Sequence, residues 1–402
     1  MDNKLYMTIL LLSCLQVAEF AVSTIQKDIY NNIIAGYTKE VRPVSTGSIP
    51  MNIEISGYLM AINDFDEVSG TLEIVIVVGM KWTDEALVWD LATYNYTGYI
   101  TIPQSKIWVP EIFDLKAADT FEAIGGGNFK VLVVYSGEVQ MMPGGIMKIK
   151  CTPDVAKFPF DVQNCYLEIT PWMYIATDIM LSAGASELDM TYYEANGEWT
   201  VLETGLRSQP KGVYSTLIIS FKMKRIPLYH IVNTLIPIYF LGFLNPLVFI
   251  LPCDCGERSG FTLTMLLSYT VFMMIINAAL PQTSSPMAVL SFVTFGALVF
   301  SGLITILNCF QLRMFHRDEN VPVPNWLVKL IACLTCYGRA KVKPDVVMNG
   351  ENDENSGPIG IKDGGTVTWQ RVVEVMDMFY LSSIYITGVI GTVVITVYLT
   401  SM

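Results

Sequence analysis

A single uncharged run, Ser259–Leu280, carries the hydroxyl groups of Ser259, Thr262, Thr264, Ser268 and Thr270, and the carboxylate of Glu257 stands just before it. On a helix advancing about 100° per residue, Gly260, Thr264, Leu267, Val271, Ile275 and Ala278 fall on one face, in line with Glu257. Such a stripe can present oxygen atoms to water and ions, which is solvation chemistry and makes no covalent bond. The alternative is that the hydroxyls bond their own helix backbone while the stripe packs on a neighbouring helix. Bond-making chemistry has little support, because His230 and His316 are the only histidines and no catalytic set surrounds them. The chain is therefore not expected to be an enzyme.

The elements that would position this stripe are legible from charge. Four stretches, Ile226–Leu251, Ser259–Leu280, Met287–Leu312 and Met378–Met402, contain no Asp, Glu, Lys or Arg. Each exceeds the ~20 residues that cross a bilayer core. A charge at the centre of a span costs roughly 2.5–3.5 kcal/mol, so four clean runs argue against a soluble helical core. The whole chain is 52% apolar and only 15% charged over 402 residues, too oily for a soluble protein of this length. Lys4, the apolar run from Met7 to Leu15, and the small residues Ala18, Ala21 and Ser23 predict a secretory signal over 1–22. Residues 23–225 would then lie outside the cell, 226–312 would hold three spans, 313–377 would be intracellular, and 378–402 would form the fourth span. Arg313, Arg317, Lys329, Arg339, Lys341 and Lys343 crowd the intracellular side, as the positive-inside bias requires, whereas Pro281–Pro286 has no charge. The net charge of −12 excludes an electrostatic case for nucleic-acid binding. It suits either attraction of cations or plain solubility.

This topology sorts the eight cysteines. Cys14 leaves with the signal, while Cys253, Cys255, Cys309, Cys333 and Cys336 lie in or beside the reducing cytosol. Cys151 and Cys165 remain alone in an oxidising compartment and should pair, closing a loop of thirteen intervening residues. Chain entropy values such a closure at roughly 3 kcal/mol. Cys333-x2-Cys336 lacks a second half for a zinc site and suits lipidation or an apolar helix face as well.

In the outer segment, Ile29, Ile33 and Ile34 recur at helical spacing within Ile25–Tyr37, with Arg42-Pro43-Val44 as the expected stop. The runs Thr71–Trp82, Lys130–Met142, Ile146–Cys151, Cys165–Thr170 and Val213–Met223 are rich in β-branched or aromatic residues and predict the strands of one β-sandwich. Asn95-Tyr96-Thr97 is a glycosylation sequon. Inside the cell, Asn325–Cys336 and Thr366–Asp377 look amphipathic, and Asn349–Gly365 has a composition unable to bury a core.

Cys151-x13-Cys165 encloses Phe158-Pro159-Phe160-Asp161, and here the chain resembles the Cys-loop receptors, nearest to their nicotinic acetylcholine receptor branch. Arg42-Pro43-Val44, Asp66-Glu67-Val68, Trp82-Thr83-Asp84, Trp108-Val109-Pro110-Glu111, Gly197-Glu198-Trp199, Arg225-Ile226-Pro227-Leu228-Tyr229, Gly256-Glu257-Arg258 and Pro322-Val323-Pro324-Asn325-Trp326 extend the similarity along the chain. The resemblance implies an α+β membrane protein: an extracellular β-sandwich with an N-terminal helix, then a four-helix transmembrane bundle. It also implies a homo- or heteropentamer in the plasma membrane, formed with four further subunits and bathed in membrane lipids. Its function would be a ligand-gated cation channel, with an accessory, non-conducting subunit as the alternative. No inverted repeat supports a transporter, and no cofactor is implied.

Residue by residue, the resemblance makes Glu257 a carboxylate collar selecting permeant monovalent cations, and Leu267 an apolar ring that blocks by dewetting. Gly260 and Ala278 depart from the nicotinic pattern, replacing a hydroxyl and an acidic residue. The aromatic box that binds a cationic small-molecule agonist maps onto Trp172, Tyr174 and Tyr214. Trp172 could instead belong to the sandwich core. Leu115 and Val77 stand where a tyrosine and a tryptophan would be, and Met142 completes the assigned residues. The loop before Tyr214 lacks a vicinal cysteine pair, which argues against acetylcholine as agonist of a homopentamer. Coupling to the pore falls to an ion pair of Glu67 with Arg225, and to Phe158 and Phe160 pressing on Pro281–Pro286, Pro281 included.

Overall fold

The structure is a computed structural model that describes residues 24–44, 50–282, 286–318, 321–337 and 368–400. The expected signal over 1–22, Cys14 and the segment Asn349–Gly365 lie outside the described residues. The chain divides into two units, one of 1–154 with 161–226 and the other of 155–160 with 227–402.

The first unit is a sandwich. Its larger sheet orders β3 (Tyr99–Pro103), β5 (Lys130–Val134), β6 (Ser136–Met141), β2 (Thr71–Val88), β1 (Met51–Asp66) and β9 (Ile179–Ala183), with β7 (Gly144–Lys150) also on β2. The smaller sheet orders β10 (Trp199–Ser208), β11 (Leu217–Arg225), β8 (Val162–Thr170) and β4 (Phe113–Asp114). Alternation drives this pairing: Ile53, Ile55 and Leu59 of β1 and Ile74, Ile76 and Val78 of β2 point into one core with Trp82, Trp199 and Phe221. Helix α1, residues 24–34, adds Ile29 and Ile33 to that core.

Three local expectations are corrected. Helix α1 ends near Gly36, whose φ of 80° only glycine adopts easily, well before Arg42-Pro43-Val44. The run Lys130–Met142 folds as the hairpin β5–β6, turning before Gly137, whose φ is 85°. Val213 lies in an exposed turn and its strand begins only at Leu217. A disulfide joins Cys151 to Cys165 across 5.2 Å between Cα atoms.

Among its described residues the second unit holds four helices long and apolar enough to cross a membrane: α2 (Leu228–Ile250), α3 (Glu257–Ala279), α4 (Val289–Phe315) and α6 (Trp369–Thr400). Between the last two, α5 (Asn325–Tyr337) buries Leu327 and Ile331 against Trp369 and Val372. Helix α2 is irregular, widening into a π turn over Ile231–Leu235 ahead of Pro237 and tightening into 3-10 turns over Asn245–Ile250. Pro237 has no N–H for the carbonyl four residues back and its ring crowds that carbonyl, which the wider turn accommodates. Helix α3 buries Arg258, Thr262, Met265, Tyr269 and Ile276, one helical stripe, against its neighbours.

Candidate functional site

Trp172 leaves the end of β8 behind Pro171 with its side chain 46% exposed, so it is not part of the sandwich core. Its ring lies parallel to that of Tyr214, centroids 6.0 Å apart, and takes Phe121 edge-on at 5.8 Å. Phe113 stacks behind Phe121 at 5.0 Å. These four rings form an aromatic shelf on the smaller sheet. Tyr214 reaches it because the β10–β11 turn closes by mutual backbone bonds between Lys211 and Tyr214, around Gly212 with φ 62°. The turn is also tethered: Lys211 Nζ donates to both oxygens of the buried Glu168 carboxylate, at 2.9 and 3.2 Å, and Ala176 N–H donates to the Val213 carbonyl.

Of the residues assigned to a ligand from sequence, only Trp172 and Tyr214 meet. Tyr174 turns inward, its ring edge-on to Trp108 at 6.3 Å. Leu115 is half-buried beside β4, its N–H bonded to the Glu168 carbonyl. Val77 lies on β2 opposite Tyr58 and Gly144, and the exposed Met142 follows β6, both on the larger sheet. Sequence reading missed Phe113, Phe121, Glu168 and Lys211. Phe113 and Phe121 sit in the segment after Trp108-Val109-Pro110-Glu111, and their aromatic type was the available signal.

At the other end of the sandwich, Arg225 closes β11 with its side chain 4% exposed. Its Nε donates to Asp161 Oδ1 at 2.9 Å and its Nη2 to Asp161 Oδ2 at 3.2 Å, while Nη2 also bonds Glu67. The guanidinium lies 4.3 Å over the Trp199 ring. Gln163 Nε2 donates to Asp161 Oδ2 at 2.5 Å, so both Asp161 oxygens are satisfied. Burial pushes the Glu67 carboxyl up against the opposing pull of Arg225. Asp161 was visible in the sequence only as the last letter of the Phe-Pro-Phe-Asp motif, and the structure makes it the principal partner of Arg225.

Within the helical unit, Phe158 is buried among Leu235, Ile238, Ile276, Leu280, Ala288 and Leu290, with Phe160 packed beside it. The His230 ring approaches Phe158 to 4.8 Å, and Val289 N–H donates to the Ala156 carbonyl at 3.1 Å. Phe158 thus meets residues flanking Pro281–Pro286. Pro281 itself is half-buried, and 283–285 lie outside the described residues.

On α3, Glu257, Gly260, Thr264, Leu267, Val271, Ile275 and Ala278 are all exposed, opposite the buried stripe. Among the described residues the stripe therefore packs on no other helix. The hydroxyls do bond their own backbone: Thr264 to the Gly260 carbonyl at 2.8 Å, Ser268 to Thr264 at 2.9 Å and Thr270 to Leu267 at 2.6 Å. A hydroxyl that donates inward keeps its oxygen lone pairs free, which leaves acceptors suited to cations. Asn95 sits on an exposed turn with φ 50°. Among the described residues no group of three or more His, Cys, Asp or Glu could hold a metal ion.

Comparison with known proteins fits this geometry. Residues 26–227 match the neurotransmitter-gated ion-channel ligand binding domain, and residues 234–352 match the neurotransmitter-gated ion-channel transmembrane region. Neuronal acetylcholine receptor subunit alpha-6 of Pan troglodytes is 30% identical over 310 residues, 75% of this chain and 62% of that protein. Its Rattus norvegicus counterpart is 28% identical over 352 residues, 85% of this chain and 69% of that protein. Neuronal acetylcholine receptor subunit alpha-3 of Homo sapiens is 30% identical over 327 residues, 79% of this chain and 64% of that protein. The chain thus spans a little under two thirds of the Pan troglodytes and Homo sapiens relatives. It is a multi-pass plasma-membrane protein with an extracellular ligand-binding domain, and it belongs to the neurotransmitter-gated ion-channel family as a nicotinic-like Cys-loop subunit.

Proposed function

We propose that the chain is one subunit of a pentameric ligand-gated channel that conducts monovalent cations, assembled with four same or homologous subunits. The observation that carries this reading is the α3 stripe from Glu257 to Ala278, exposed among the described residues while the opposite face of the helix is buried. Five copies facing a common axis would stack into rings, with the Glu257 carboxylates repelling anions at the inner mouth. Replacing Glu257 with Ala should move reversal potentials in asymmetric salt toward the chloride equilibrium potential; unchanged potentials would count against the collar.

The agonist on this reading is an organic cation held against Trp172 and Tyr214, with Val77 and Met142 presented to a neighbouring subunit. Cation–π attraction of about 2 kcal/mol in a desolvated site favours that class. Trp172→Ala should then raise the half-maximal agonist concentration at least tenfold, and equal responses would exclude the shelf as the binding site.

An accessory role is the second reading, favoured by Leu115 and Val77, which supply no ring where the box expects one. Expressing the chain alone in oocytes under a panel of amines, transmitters and pH steps separates the two. Asn95 is proposed to carry a glycan, which a mobility shift on deglycosylation would detect.

A further inference from the structure

Arg258, the residue after Glu257, is fully buried on the far side of α3 from the exposed stripe. One guanidinium there gathers groups from three other segments. Its Nη1 donates to Asp377 Oδ2 at 3.0 Å, and Nη2 also bonds the same carboxylate, on the third turn of α6. Nη2 donates to Gln311 Oε1 of α4 at 2.8 Å, and Nη1 reaches Cys253 Sγ at 2.7 Å and the Leu251 carbonyl at 3.4 Å, both between α2 and α3. The ring of Phe249 lies 5.6 Å from the guanidinium carbon.

A buried guanidinium separated from its carboxylate is strongly disfavoured, so α3 cannot turn about its axis near this end without breaking the set. Successive helical residues point about 100° apart. Pinning Arg258 inward therefore dictates where Glu257 points. We propose that Arg258 and Asp377 are a positioning pair that orients the Glu257 collar, making the inner end of α6 a determinant of ion selectivity. Neither residue faces the stripe. The inference rests on the pore reading of Glu257.

The test is a double-mutant cycle on the full chain in oocytes, reading the cation-to-anion permeability ratio from reversal potentials, with surface labelling in parallel. Asp377→Asn should lower the ratio several-fold, and should lower it no further in a Glu257→Gln background, because the collar it orients is already gone. A pair that merely holds the bundle together would reduce surface protein and current amplitude and leave the ratio alone. An unchanged ratio in Asp377→Asn that reaches the surface overturns the proposal, as does an equal additional drop in the Glu257→Gln background. Where Asp377→Asn is retained inside the cell, Asp377→Glu replaces it, keeping the charge on an arm one methylene longer. It should shift the ratio in the same direction by less, and no shift overturns the proposal. If Glu257→Gln itself leaves the ratio unaltered, the collar reading falls; an effect of Glu257→Gln without one of Asp377→Asn sinks only the positioning role.

Discussion

Arg225 sets one positive charge against two carboxylates, Asp161 and Glu67, with its own side chain almost wholly buried. The two partners are not equivalent. Asp161 receives two hydrogen bonds from the guanidinium and a third from Gln163, whereas Glu67 receives one from the guanidinium, and burial pushes its carboxyl above the usual range. Arg225→Met should therefore destabilise the sandwich by about 3–5 kcal/mol, since it strands a buried aspartate, and Glu67→Gln should cost distinctly less. Thermal unfolding of the detergent-solubilised protein ranks the two, and equal losses would refute the asymmetry. Sequence reading named Glu67 and Arg225 because motif letters carry them. The larger partner, and the Lys211–Glu168 tether beside the aromatic shelf, escaped it because strand pairing brings together residues 64 and 43 positions apart. No local periodicity encodes a contact of that span.

At the scale of elements, alternation and charge were enough to show strands and spans, and the failures lie where one glycine redirects the chain. The run Lys130–Met142 reads as one strand because Val131–Tyr135 favour extension, yet the chain reverses at Ser136-Gly137, where Gly137 has φ 85°, and folds back as a hairpin. Gly212 does the same for the turn that carries Tyr214. The two differ in surroundings: a Cβ on Gly137 would lie 2.5 Å from the Asp84 carbonyl oxygen, whereas one on Gly212 would meet nothing within 4 Å. Gly212→Ala pays only for the left-handed backbone, about 1–2 kcal/mol. Gly137→Ala pays that and a backbone clash, so it should lower the unfolding midpoint by more. Comparing the two melting curves checks this; an equal shift would mean that the β5–β6 hairpin yields to the added methyl.

At the scale of the whole molecule, a charge-free run understates a helix whose charge is paired. Composition places the fourth span from Met378, with the amphipathic Thr366–Asp377 running into it; the two form one helix, α6, from Trp369, and its Asp377 is buried against Arg258, which neutralises it. The same rule misses Arg258 itself, which α3 includes from its second residue. What composition cannot decide is which way the α3 stripe faces, and Leu267 gives a direct test. It is 64% exposed at mid-helix within a single chain, so in the assembled molecule it must meet lipid, another subunit or the axis. On the axis, five leucines form a constriction that empties of water when the helices close, and a hydroxyl at that level lowers the barrier to wetting. Leu267→Ser should then pass a cation current without agonist, seen as a raised holding current that a pore blocker removes. Facing lipid, the same change would only weaken membrane insertion, with lower surface protein and no standing current. A silent, normally expressed Leu267→Ser chain would therefore turn the stripe away from the axis, and the proposed conduction pathway with it.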